Sequence, residues 1–132
     1  MLILFSACTS HNPRKADTRS NKRLFTNVVG FKPPPDVKGI YGYVDELGFD
    51  GSYWLAFKCN DTTVERIRAQ LRLEETGIGR GMFGGLNSSP TKWWDTTFIF
   101  KSVYHKTDDE KNYWYLWYDT LNKKAYLLYI FI

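Results

Sequence analysis

The stretch "NYWYLWYDTLNKKAYLLYIFI", residues 112–132, constrains the fold more than any other part of the chain. Two runs rich in aromatic and branched side chains meet at "DTLNKK", which supplies the polar residues of a reversal, so the stretch reads as a β-hairpin. Side chains of a strand alternate between its two faces. Tyr113, Tyr115 and Trp117 therefore oppose Trp114, Leu116 and Tyr118, and the second run is apolar on both faces. A strand of that kind belongs inside a sheet with both faces covered, because at an exposed edge it would recruit other chains.

A second hairpin is read in "GIYGYVDELGFDGSYWLAFKC", residues 39–59. Its second strand places Tyr53, Leu55, Phe57 and Cys59 on one side and Trp54, Ala56 and Lys58 on the other. "NDTTVERIRAQLRL" follows, where Thr62 and Glu65 form T-x-x-E ahead of an apolar run, the pattern of a helix start. Val64, Ile67 and Leu71 share one face of that helix, with Arg66, Gln70 and Arg72 turned outward. Residues 74–91 form a Gly-rich connection without periodicity, and "WWDTTFIFKSVYHK" reads as a strand from its β-branched and aromatic content. The expected fold is α+β: an antiparallel sheet of about five strands, two hairpins plus one strand, with one amphipathic helix, in the order β-β-α-β-β-β.

A chain of 132 residues suffices for one such domain, and an aromatic content of 17% excludes wholesale disorder. The net charge of +4 is unevenly placed. Residues 9–32 hold Arg14, Lys15, Arg19, Lys22, Arg23 and Lys32 against Asp17, a balance of +5, while residues 33–132 sum to −1. Nucleic acid is therefore not an expected partner of the globular part. "TSHNPRKADTRSNKR" lacks apolar periodicity and "FKPPPDVKG" reads as a stiff extended spacer. Residues 9–36 are thus expected to be a basic polar tether, and residues 37–132 a single globular domain.

The opening "MLILFSAC" resembles the end of a bacterial lipoprotein signal peptide, whose lipobox sets Leu, a small residue and Ala or Gly before the lipidated Cys. Ser6, Ala7 and Cys8 match those positions, and Phe5 stands where Leu is usual. No basic n-region precedes the apolar run, so the true signal is expected to begin upstream of Met1. The alternatives are an N-terminal strand of a cytosolic fold and a cleaved secretory leader that leaves Cys8 free for a disulfide. The resemblance implies lipid on Cys8, residues 1–8 as the signal remnant, and a domain facing the periplasm or exterior. The tether's cations would then each contribute about 1 kcal/mol near anionic lipid. Cys59 is left as an odd, buried thiol. The domain is also similar to small bacterial lipoproteins and prophage-type proteins of unknown function, through "GFDGSYWLAFKC", the T-x-x-E helix, "WWD" and "YWYLWYD" before "KKAYLLY".

Several short motifs carry no chemistry here. Gly79, Gly81 and Gly84 fit G-x-G-x-x-G, but after a helix rather than a strand, so a loop is expected instead of a dinucleotide site. Ser89 and Lys92 fit S-x-x-K without S-D-N or K-T-G companions. His11 and His105 are the only imidazoles. No metal cluster or nucleophile-His arrangement can be assembled from them, so no catalytic residue, metal or cofactor is assigned. Asp108, Asp109 and Glu110 read as a solvated turn, since calcium loops alternate their ligands. What remains is Trp93 and Trp94 beside Asp95. If that segment is extended, the two rings point to opposite faces, one into the core and one toward a ligand. The expected function is a non-enzymatic, lipid-anchored envelope module that binds another protein; the alternative is a small glycan- or peptide-binding module using Trp93, Trp94 and Asp95, unless the Gly-rich loop closes over these rings as a second core.

Overall fold

The structure is a computed structural model that describes residues 13–47, 50–75, 92–94, 103–108 and 111–131. The elements run α1 (Arg19–Val29), β1 (Lys38–Leu47), β2 (Asp50–Lys58), α2 (Asp61–Leu71), β3 (Glu74–Glu75), β4 (Val103–Asp108), β5 (Asn112–Asp119) and β6 (Lys124–Phe131). The class is α+β, and the strands form an antiparallel sheet in the order β1-β2-β6-β5-β4-β3. β6 lies in the middle, between β2 and β5, as its apolar character on both faces requires.

Register fixes the two faces. Leu55 pairs with Leu127 and Leu127 with Leu116, so these share one side; Trp54 pairs with Leu128 and Leu128 with Tyr115 on the other. The first side packs Leu55, Phe57, Cys59, Leu116, Tyr118 and Leu127 beneath the helices. The second gathers Trp54, Ala56, Tyr115, Trp117, Tyr126 and Leu128 around Trp94. Both hairpins show the alternation read from the sequence.

The tether is where the expectation fails. Residues 19–29 form α1, opened by Thr18, whose hydroxyl accepts the Asn21 amide at 3.0 Å. It closes on Gly30, at φ 100°, whose amide donates to the Thr26 carbonyl at 2.9 Å; only glycine enters that left-handed position without strain. Asn21, Phe25, Val28 and Val29 recur at helical spacing and are buried. Phe25 meets Phe57 edge-on with ring centroids 5.0 Å apart, so α1 belongs to the core.

Residues before α1 are pinned to β1. The Asp17 backbone amide donates to the Ile40 carbonyl at 2.8 Å. The Asp17 carboxylate accepts the amides of Gly39 at 3.1 Å and Ile40 at 2.8 Å. The Asn21 side-chain amide donates to the carbonyls of Lys15 and Ile40, both at 2.8 Å. The folded unit therefore includes residues 13–36.

Three smaller corrections concern helix and strand ends. α2 begins at Asp61 with Asn60 as its cap residue, so Thr62 lies inside the first turn instead of capping it. The cap comes from Asp36, whose carboxylate accepts the Asn60 amide at 2.8 Å and the Thr63 hydroxyl at 2.7 Å. In "WWDTTFIFKSVYHK" only the later part, from Val103, is strand among the described residues; Trp93 sits in a turn. Glu74 and Glu75, placed in the Gly-rich connection, pair with His105 and Tyr104 as a two-residue edge strand. Residues 76–91 and 95–102 lie outside the described residues.

Candidate functional site

Trp94 is 4% exposed and is part of the second core. Its ring meets Trp54, Trp117 and Tyr126 edge-on at centroid distances of 4.8, 5.7 and 5.4 Å. Trp93 is half-buried: it stacks on Tyr41 at 5.6 Å and donates its indole N–H to the Pro13 carbonyl at 2.6 Å. The pair thus divides into a core ring and a half-buried ring, but the second ring spends one face and its donor on other parts of the protein. The described residues form a second core here rather than an open platform. Asp95 lies outside the described residues, as do Cys8, His11, Ser89, Gly79, Gly81 and Gly84.

Among the described residues no apolar docking patch replaces it. Among the residues whose burial is described, the only large hydrophobic side chain that is exposed is Leu121, in the turn between β5 and β6. Cys59 is buried, and burial, with Asp36 and Asp61 nearby, pushes its thiol up to about 12. At neutral pH it is a packed thiol rather than a nucleophile. Among the described residues no group of three or more His, Cys, Asp or Glu side chains is placed to hold a metal ion, and no helix is long and apolar enough to cross a membrane.

The feature that stands out is charged. A groove of about 670 Å³ runs between α1, the prolines at 33–35 and the start of β1. Arg19, Lys22, Arg23 and Thr26 line one wall, at the i, i+3, i+4, i+7 spacing that puts them on a single face of α1. Lys32 and Lys38 flank the opposite, proline wall. All five cations are exposed, and none forms an ion pair with a carboxylate among the described residues. Asp17 is the one acid lining the groove, and its two oxygens already accept the Gly39 and Ile40 amides. The prolines stiffen their wall by fixing φ, and they offer no N–H to compete for an anion.

Sequence reading located four of these charges, Arg19, Lys22, Arg23 and Lys32, in a tail and so missed that they form a surface with Lys38. The signal was present in Thr18, in the apolar residues 24, 25, 28 and 29, and in Gly30 followed by Pro33. The buried stripe opens on a polar residue, Asn21, which shortened its apolar periodicity to a single turn and a half. No protein-family model, curated protein or solved structure matches the chain.

Proposed function

We propose that the protein is a lipid-anchored bacterial envelope protein of non-enzymatic function, a binding module whose working surface is the basic groove and whose partners are anionic. The observation that carries the binding surface is the set of five exposed cations around a groove whose single carboxylate is held by backbone amides. Like charges converge in a concave site only at a cost in self-repulsion, which an anionic partner removes. The anchor rests on Ser6, Ala7 and Cys8 and on their likeness to a lipobox. The glycan or peptide module built on Trp93, Trp94 and Asp95 is the lesser reading, because Trp94 is consumed by packing.

The test has two parts. Mass spectrometry of the chain expressed in a bacterial host should find residues 1–7 removed and Cys8 acylated in the membrane fraction; an intact, unacylated N-terminus in the cytosol overturns the anchor. The Cys8→Ser chain should be retained on immobilised polyglutamate, and Lys22→Glu/Arg23→Glu should abolish retention. Equal retention of both overturns the groove as the binding surface.

A further inference from the structure

We infer that the groove docks the domain directly onto an anionic bilayer, in one orientation, with α1 and the proline wall toward the headgroups. This rests on the anchored, anion-binding reading above and names its partner. The order of residues along the chain is the first support. If Cys8 carries the lipid, only four residues separate it from Pro13, where the described fold begins, a reach of no more than about 18 Å. A leash that short holds the nearest part of the domain within reach of the surface, whereas a tether ending at residue 36 would have let it tumble freely.

Charge is the second. Residues 9–32 sum to +5 and the remaining chain to −1, so the domain is electrically one-sided. The positive side is the one that follows Pro13. A one-sided charge distribution near an anionic plane turns its positive face inward, and each cation close to the surface adds to the attraction. Lys38 lies beyond the basic segment in sequence, yet it joins Arg19, Lys22, Arg23 and Lys32 because Asp17 and Asn21 fasten the segment to β1. Phosphate headgroups suit such a groove, since Arg and Lys donors meet their oxygens from two walls.

The test uses the full chain with Cys8→Ser, so that the acyl chain does not mask the electrostatic contribution. It is sedimented with vesicles of phosphatidylglycerol and phosphatidylcholine, and with vesicles of phosphatidylcholine alone. Binding should require phosphatidylglycerol and weaken as salt rises. Lys22→Glu/Arg23→Glu should reduce it at least about tenfold. Lys106→Glu/Lys111→Glu carries the same change of charge on β4 and just before β5, on the side of the sheet away from β1, and should reduce it far less; circular dichroism confirms that both variants are folded. Equal losses in the two variants would mean attraction by net charge alone and would overturn oriented docking. Groove-dependent retention on polyglutamate without vesicle binding would overturn the membrane as partner while leaving the anion groove standing. Failure on both supports would remove the groove reading itself.

Discussion

Asp36 shows how one side chain can join segments that sequence spacing treats as unrelated. Its carboxylate accepts the Asn60 amide and the Thr63 hydroxyl, so a residue just past the proline run caps a helix more than twenty positions away. Burial alone would push its pKa up, but the hydrogen bonds from Asn60 and Thr63 outweigh that and hold it below the ordinary value of 3.8. A folded value below the unfolded one means stability that is fully present above the unfolded pKa and lost as pH falls through the folded one. Replacing Asp36 by Ala should cost about 1 kcal/mol in denaturant unfolding at neutral pH. Replacing it by Asn should flatten the acid limb of the stability profile below about pH 4. The T-x-x-E pattern placed the helix correctly and the cap wrongly, because a capping partner from another part of the chain leaves no trace in local spacing. For Trp93 and Trp94 the division into a core ring and a less buried one stands, but strand alternation is not its cause, because Trp93 sits in a turn. Trp94→Ala should therefore cost about 3–5 kcal/mol, as for other large buried rings, and Trp93→Ala clearly less, measured side by side by chemical denaturation.

Among the elements, the hairpins were legible and α1 was not. β2, β5 and β6 announce themselves because every second residue faces the same core, and the faces read from Leu55, Leu116 and Trp117 are those seen. α1 carries its apolar side on Leu24, Phe25, Val28 and Val29 within a strongly basic segment, so composition obscured periodicity. Its contribution is substantial: Phe25 and Val29 are fully buried against the sheet. Phe25→Ala should cost about 3–5 kcal/mol. Deleting residues 1–31 should abolish cooperative unfolding, because it removes α1 and also exposes Phe57 beneath it. A truncated chain that still melts cooperatively near the parent temperature would show that α1 only rests on the core. The same helix presents Lys22 and Arg23 outward, so the element that completes the core also carries the groove, and changes on its two faces should separate: inward ones alter stability, outward ones alter binding.

Across the whole molecule, the sheet joins the two ends of the sequence. β1 and β2 come early, β3, β4 and β5 come later, and the last strand, β6, lies between the two groups. Tyr126 and Leu128 complete one core while Ala125 and Leu127 complete the other, so both remain open until residues 124–131 are in place. A chain ending before Lys124 should show no cooperative transition by calorimetry, although β1, β2, β4 and β5 are all still present. Contacts between residues so far apart in sequence form late, after the entropy of closing a long loop has been overcome. Synthesis delivers residues from the N-terminus onward, so while the ribosome still holds the final strand the emerging polypeptide has nothing to close upon. The domain stays threadable until residues 124–131 have emerged, which is the condition a narrow pore imposes on any polypeptide that must pass through it before folding.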